Sequence, residues 1–339
     1  MKVAVICSGS SKTGLGHLFR ARSFVNYAKK KSNVKVFAIV EKGLETIFHD
    51  HAEITQILYS EETLTKKVLA CKPDVIVFDL LFLTNSTFKK LKETGCLLVS
   101  ISPIFDRMQG VDMLFVRSKY FTPINGVEIY GGLEYTIVNQ YSQKISTSTF
   151  KRNLKKKHLP VAISMGGTDA PNKTLKVIKK LSTFPHSLTL WVALGEGYAH
   201  SYTEIVESIK KSYQHEIILA KASKSTWDIM GNAVLTILAG GLTTIESVIA
   251  GIPSINVFEK EEHIKLMPKE LIDLDVTMNT SLLSDDSLDY ILEKVNNYYF
   301  NREELLAKRN KMEGLIDKKG PERVFNAIKT RLNSATGKN

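Results

Sequence analysis

The chain has 339 residues, and 43% of them are apolar, which is enough to bury two cores of about 150 residues each. The charged fraction of 24% is ordinary for a folded protein and argues against disorder. The net charge of +11 comes without a nucleic-acid-binding motif, so we expect no nucleic-acid partner. Weak peripheral contact with an anionic membrane surface is the alternative.

Short aliphatic runs alternate with helix-length amphipathic segments through the first half of the chain. Continuous apolar runs of this length are typical of strands that are covered on both faces, so they predict a parallel sheet between layers of helices. The predicted strands are Val3–Cys7, Val34–Val40, Val75–Phe78, Leu97–Ile101 and Met113–Val116.

The first predicted strand is followed by a glycine turn that opens a helix. Gly14 and Gly16 would let a substrate approach the backbone, and His17 can exchange a proton near neutral pH. We interpret His17 as a catalytic base at the carboxyl edge of the sheet, where open α/β folds bind ligands; an incidental surface histidine is the alternative. Arg20, one turn later, either braces the loop or binds an anion.

Two aspartates lie at the ends of later strands. Asp79 follows Val75–Phe78, and Asp106 follows Leu97–Ile101. Both positions belong to the carboxyl edge of the predicted sheet, so both are candidate substrate-binding residues. Turn and capping roles are equally consistent with their positions.

A polar, basic stretch over residues 149–158 predicts a linker between an N-terminal domain, 1–148, and a second domain, 159–319. A final helix and tail are expected over 320–339, with Gly320-Pro321 at the helix start. The pattern therefore predicts two Rossmann-like, doubly wound α/β domains that face a cleft. The predicted strands of the second domain are Val161–Met165, Leu188–Leu194, Ile217–Leu219, Val234–Leu238 and Ile252–Phe258.

The second domain begins with a strand that runs into another glycine turn. Ser164, Gly166, Gly167 and Thr168 could surround an oxygen anion with backbone and hydroxyl donors, and we expect them to bind a nucleotide. Asp169 could cap the following helix. A purely structural turn is the alternative.

A third glycine turn starts a helix late in the chain. Gly241, Leu242 and Thr243 would present helix-start amides to a phosphate, and the Glu246 carboxylate could accept both hydroxyls of a ribose. A carboxylate that only stabilises the helix dipole is the alternative. The turn is neither the GxGxxG dinucleotide fingerprint nor a Walker loop.

The cysteines and the hydropathy pattern bear on the cellular compartment. The three cysteines show no CxxC spacing and lie in or beside apolar runs, so we expect reduced residues and no metal site. No stretch approaches the roughly 20 apolar residues that span a bilayer. We predict a cytoplasmic monomer that needs no cofactor.

The motifs GxGHxxR, SxGGxDxxNxT and GGxTxxExxxxGxP together resemble those of the PseG/SpsG family, whose named member is a UDP-sugar hydrolase of pseudaminic acid synthesis. That family is itself similar to the MurG glycosyltransferases of the GT-B fold. The resemblance implies a GT-B architecture, a UDP-amino-sugar substrate and inverting attack of water at the anomeric carbon. It also implies that His17 is the catalytic histidine and that Glu246 contacts the ribose. The positions that match the family's diphosphate contacts are Gly166, Gly167, Leu242 and Thr243.

The chain departs from the family pattern on the sugar side. Ser102-Pro103 replaces an Asp-Asp pair, Leu81 replaces an aromatic residue, and Glu262-His263 replaces Asn-Gln. Glu262 is a candidate substrate-binding residue, with a solvated loop as the alternative. A glycosyltransferase with a UDP-sugar donor and a non-catalytic nucleotide-sugar binder remain alternatives to the hydrolase.

Overall fold

The computed structural model describes residues 1–10, 14–42, 56–211, 214–221 and 225–336. They divide into two compact units, the first made of Met1–Gln140 with Asp317–Asn339 and the second of Tyr141–Ile316. Each unit contains one parallel sheet with helices, as the alternating apolar runs predicted. None of the described helices has the length and apolar character needed to cross a membrane.

The first unit is built on a sheet with the strand order β3-β2-β1-β4-β5-β6-β7, in which every pairing is parallel. Its described strands are β1 Lys2–Gly9, β2 Asn33–Val40, β3 Gln56–Leu58, β4 Val75–Asp79, β5 Leu97–Ser100, β6 Met113–Val116 and β7 Glu128–Gly131. Its described α-helices are α1 Gly16–Ala28, α2 Glu61–Cys71, α3 Asn85–Lys92 and α13 Gly320–Thr336. Strand order reverses between β1 and β4, and the turn that leads into α1 follows β1.

Both faces of the first sheet are buried. Because successive side chains of a strand point to opposite sides, each strand contributes residues to both faces. Along β1, Val5 packs into one apolar cluster together with Phe24 of α1. Its neighbour Ile6 packs into the other cluster together with Leu64 of α2. A strand buried on both faces must be apolar throughout, which explains the continuous run that made β1 recognisable in the sequence.

The C-terminal helix α13 belongs to the first unit. Val324, Phe325 and Ile328 are buried in the same cluster as α1, and the Phe325 ring meets the edge of Tyr27 with a centroid distance of 5.7 Å. Gly320, at the helix start, lies so close to the Thr136 carbonyl that a Cβ would collide with it. The C-terminal helix therefore completes the core of the first unit.

The second unit has the strand order β10-β9-β8-β11-β12-β13, again parallel throughout. Its described strands are β8 Leu159–Ser164, β9 Leu188–Leu194, β10 Glu216–Lys221, β11 Leu235–Leu238, β12 Ser254–Phe258 and β13 Thr277–Leu282. Its described α-helices are α4 Thr147–Leu154, α5 Lys173–Leu181, α6 Tyr202–Lys211, α7 Trp227–Met230, α8 Leu242–Ala250, α9 Glu261–Lys265, α10 Lys269–Asp273, α11 Asp285–Phe300 and α12 Arg302–Met312. Since β8 and β11 are neighbours, the two glycine turns that follow them start from adjacent strand ends.

The stretch predicted as a linker, 149–158, differs from that expectation. Most of it lies in helix α4, which Ser146 caps by accepting the Thr149 amide. Phe150 and Leu154, four residues apart, are buried in the core of the second unit, while the basic residues between them face outward. Six of the eight residues of this helix are polar or basic, so its two apolar residues give too weak a pattern to predict it. The boundaries between the two units fall at 140/141 and 316/317.

Candidate functional site

His17 lies in the first turn of α1 and is held by Asp79, the last residue of β4. The Nδ1 atom of His17 is 2.8 Å from Asp79 Oδ1, and Arg20 Nε donates to Asp79 Oδ2 at 2.9 Å. The Arg20 Nη2 atom also bonds to Oδ1. Asp79 is fully buried, and His17 and Arg20 are 7% and 6% exposed. Two residues from one turn of α1 thus form a buried cluster with an aspartate about 60 positions later in the chain, where β1 and β4 end.

The position of the proton on His17 follows from this geometry. An ionised carboxylate can only accept hydrogen bonds, so Nδ1 must carry the proton and donate it to Asp79. Arg20 Nη2 is also 3.0 Å from Nδ1, but it cannot donate to a nitrogen that is already protonated. The Nε2 atom is therefore left with its lone pair, as a general base requires.

Charges and burial keep the Asp79 carboxylate ionised and the His17 imidazole neutral. Burial lowers the pKa of His17, and the positive charges of Arg20 and Arg117 lower it further, whereas Asp79 opposes the change. Burial acts to raise the pKa of Asp79, but the Arg20 charge and the bonds from His17 and Arg20 outweigh it, so the pKa lies below its usual value. The result is a neutral imidazole beside a carboxylate.

The turn before His17 leaves the start of α1 open. Gly14 has a φ of +76°, which favours glycine, and its amide closes the turn by donating to the Ser10 carbonyl. A Cβ at Gly16 would meet no described atom within 4 Å. Helix α1 begins after Leu15 with no described side chain capping its amides. A helix start of this kind has donors available to an anion or a polar substrate group.

Two of the predicted substrate-binding residues have other roles in the structure. Asp79 cannot contact a substrate, because it is fully buried and both of its oxygens are bonded to His17 and Arg20. Asp106 accepts the Leu83 amide at 3.1 Å and pairs with Arg107 at 3.3 Å, so it holds the loop that follows β4. Arg20 braces the site by pairing with Asp79, one of its two predicted roles.

In the second unit, the turn after β8 is held by the loop that follows β9 and by the side chain of Asp169. The Gly167 carbonyl accepts the Gly197 amide at 2.9 Å, and Ser164 is buried at the strand end. Asp169 accepts the amides of Lys173 and Thr174 at 2.8 and 2.9 Å, which makes it a cap of helix α5. The Gly166-Gly167-Thr168 backbone is thus held at the carboxyl edge of the sheet between β8 and α5.

The turn after β11 leads into α8 through two glycines with different constraints. Gly240 has a φ of +71°, and the Phe258 ring lies where a Cβ would stand. Gly241 is exposed and has no described atom within 4 Å of an added Cβ. Leu242 and Thr243 are half-exposed in the first turn, and no described side chain caps their helix. The amides of this turn are therefore available to a phosphate.

Glu246 lies on the same helix and is 5% exposed. Its Oε2 accepts a hydrogen bond from Trp227 Nε1 at 3.2 Å. Trp227, on α7, was not singled out from the sequence, because an isolated tryptophan gives no sign of a partner 19 residues away. Its indole orients the carboxylate that we predicted to bind a ribose.

Glu262 is exposed in the first turn of α9, after β12. Its neighbour His263 is half-buried, and the pKa of His263 is lowered first by burial and then by the charge of Lys173. The positive charge of Lys173, at the start of α5, thus affects the pKa of His263. Across the described ranges, no group of three or more His, Cys, Asp or Glu residues is placed to hold a metal ion.

Comparison with known proteins gives distant relatives. No family model matches the chain. It is 25% identical over 275 residues to an uncharacterized protein of Methanocaldococcus jannaschii, a match that covers 77% of this chain but only 56% of that protein. It is 23% identical to the spore coat polysaccharide biosynthesis protein SpsG of Bacillus subtilis, and this match covers 96% of both chains. The chain is thus similar to SpsG over nearly the whole length of both proteins.

Solved structures with the same architecture are glycosyltransferase-type proteins. MurG of Acinetobacter baumannii matches with a TM-score of 0.69 at 13% identity, over 97% of this chain and 100% of MurG. Anabaena HepE in complex with UDP matches with a TM-score of 0.61 at 13% identity, over 100% of both chains. Plant UGT2 from Phytolacca americana, complexed with a UDP-fluoroglucose and pterostilbene, matches with a TM-score of 0.62 at 12% identity, over 98% of this chain and 99% of UGT2. At these identities the likeness shows the GT-B fold alone.

Proposed function

We propose that the protein is an inverting hydrolase that releases UDP from a UDP-activated amino sugar in surface polysaccharide biosynthesis. The observation that carries the proposal is the buried contact between His17 and Asp79, which leaves Nε2 of a neutral imidazole as a proton acceptor. A single base of this kind is what activation of water requires. The SpsG-like relative supports the polysaccharide context.

In the proposed reaction, His17 Nε2 removes a proton from water as the water oxygen bonds to the anomeric carbon. The bond from that carbon to the diphosphate oxygen breaks, and its electron pair leaves with UDP. The imidazolium that forms is stabilised by Asp79, which accepts from Nδ1 throughout. Arg20 keeps Asp79 ionised and in place.

We assign the UDP end of the substrate to the second unit. The uncapped start of α8 provides amides for the diphosphate, and the neighbouring Gly166-Gly167 backbone provides further donors. Glu246, oriented by Trp227, is assigned to the ribose hydroxyls. The UDP in the HepE complex supports UDP as the ligand, since HepE shares the fold of this chain.

The second candidate is a glycosyltransferase that uses the same UDP-sugar donor. The structural neighbours favour it, since MurG and the plant protein UGT2 share the fold. In that case an acceptor hydroxyl replaces water as the nucleophile, and the same base would remove its proton. The two functions differ in whether UDP release depends on an acceptor.

The test is release of free UDP from a panel of UDP-amino sugars with no acceptor present. We expect release by the wild type and a loss of about 10² to 10⁴-fold in His17→Asn. His158→Asn, which changes a half-buried histidine of the second unit, is the control and should retain activity. Release that appears only with an acceptor would support the transferase, and no release under either condition would contradict both.

A further inference from the structure

Lys173 is a buried cation with few partners. It is the first residue of α5 and is only 4% exposed. Its Nζ carries three N–H donors, and the single acceptor in reach among the described residues is the Val257 carbonyl, at 3.4 Å. A hydrogen bond of that length is weak, so most of the donor capacity of the ammonium is unused.

The amine lies at the carboxyl edge of the second sheet, beside the glycine turns. Val257 is next to the end of β12, and the ring of the following residue, Phe258, packs against Gly240. Lys173 follows Gly167 by six residues and comes directly after Asn172, the N-cap of α5. The ammonium therefore lies at the same edge of the sheet as the glycine turns whose amides we assign to the diphosphate.

Nearby carboxylates do not neutralise this ammonium by direct contact. Burial lowers the pKa of Lys173, and the charges of Asp169 and Glu259 oppose this change; within the part of the chain that the structure describes, neither carboxylate forms an ion pair with the ammonium. Both oxygens of Asp169 are used by the amides of Lys173 and Thr174. The positive charge of Lys173 helps to lower the pKa of His263. Burial of an ammonium without a contacting anion is unfavourable, so this position favours an anionic ligand.

We infer that the Lys173 ammonium binds the diphosphate of the nucleotide and offsets the charge that develops on it as UDP leaves. This inference rests on the proposed function and adds to it a residue outside the three glycine turns. Helix-start amides are neutral and contribute partial charges only. A full positive charge in a poorly hydrated position stabilises a departing diphosphate more than the bound substrate, which lowers the barrier.

The test compares ligands that differ in the diphosphate. UDP binding is measured by calorimetry, and uridine binding by NMR titration, for the wild type, Lys173→Met and Lys176→Met. Lys176 is an exposed lysine on the same helix and serves as the matched control. We expect Lys173→Met to weaken UDP binding by about 10- to 100-fold, the range for a charge-assisted hydrogen bond, while uridine binding stays within about twofold. Lys176→Met should bind both ligands as the wild type does.

Each other outcome has a defined meaning. UDP affinity that is unchanged in Lys173→Met overturns the inference and leaves the proposed function intact. An equal loss of UDP and uridine affinity also overturns it, because it shows a structural role. A wild-type protein that binds neither ligand overturns both the inference and the proposed function.

Lys173→Gln repeats the comparison if Lys173→Met does not fold, since its amide can still donate to the Val257 carbonyl. Circular dichroism melting curves establish the folded state of each variant. Lys173→Arg, which keeps the charge, should retain UDP binding within about tenfold, and a loss as large as that of the neutral variants would overturn the inference.

Discussion

The Asp79 carboxylate lies 2.8 Å from Nδ1 of His17 and joins residues that are 62 positions apart in the chain. The contact is possible because β1 and β4 are adjacent, so the loop after β1 and the end of β4 meet at one edge of the sheet. Because Asp79 is fully buried, it can act only through His17 and Arg20. It is a positioning residue, and His17 is the group that would touch the reacting atoms.

The first prediction concerns the proton on His17. An amide at position 79 could donate to Nδ1, which would move the imidazole proton to Nε2 and remove the base. We expect Asp79→Asn to lower kcat for UDP release by about 10² to 10⁴-fold without weakening UDP binding. Asp106→Asn is the control, because that aspartate accepts the Leu83 amide in the loop after β4 and does not contact His17, and it should stay within a few-fold of the wild type. Full activity of Asp79→Asn would exclude the assigned tautomer.

The apolar runs were informative about the fold because strands buried on both faces must be apolar. The strands that were not predicted, β3, β7 and β13, are short or carry polar residues toward the sheet edges. Helix α4 was not predicted because only Phe150 and Leu154 of its eight residues are apolar. In each case the local sequence lacked the apolar pattern that predicts a strand or helix, and packing against the rest of the unit decided the structure.

The site was partly predictable for a related reason. Glycine turns and their helix starts are local features, so His17 and the turn around Gly241 could be identified from short motifs. The roles of Asp79 and Trp227 depend on which strands and helices are neighbours. That information is not contained in spacing along the chain, so both roles emerged only from the structure.

The second prediction concerns stability in mild acid. The pKa of His17 in the folded protein lies below its usual value of 6.5, so below pH 6.5 the unfolded chain takes up a proton that the folded protein does not. The free energy of unfolding should therefore fall as the pH decreases from 6.5, by at most about 1.4 kcal/mol per pH unit from this residue. Urea unfolding of His17→Gln should show a shallower decrease than the wild type. Parallel curves would contradict the lowered pKa.

The third prediction concerns the buried ion pair. Arg20→Met leaves the Asp79 carboxylate buried with one partner fewer, and we expect a loss of about 3–5 kcal/mol in the free energy of unfolding. Urea unfolding followed by circular dichroism measures the change. The double variant Arg20→Met/Asp79→Asn should recover part of the loss, because it removes the uncompensated charge. A single variant within about 1 kcal/mol of the wild type would show that Arg20 is not needed to hold Asp79.

The fourth prediction concerns the ribose. If Glu246 accepts the ribose hydroxyls, Glu246→Gln should weaken UDP binding by about 1.5–3 kcal/mol, as for hydrogen bonds to a charged group. Uridine binding should weaken by a similar factor, and removal of the 2′-hydroxyl from UDP should have little further effect in this variant. Trp227→Phe keeps the carboxylate but removes its indole donor, so its effect should be smaller. Calorimetry that gives equal UDP affinity for Glu246→Gln and the wild type would leave Glu246 as a helix-dipole charge.

The last prediction separates hydrolysis from transfer through Glu262. This carboxylate is exposed in the first turn of α9, and it can accept a proton, which the amide of Gln cannot do. If the protein is a hydrolase with His17 as its base, Glu262→Gln should release UDP within about tenfold of the wild type with no acceptor present. If the protein is a transferase in which Glu262 assists the acceptor hydroxyl, UDP release should require an acceptor, and Glu262→Gln should abolish the dependent part. The matched control is Glu261→Gln, an exposed carboxylate one residue earlier on the same helix. Release that is independent of acceptor and unaffected by both substitutions would exclude the Glu262-assisted transfer and support hydrolysis.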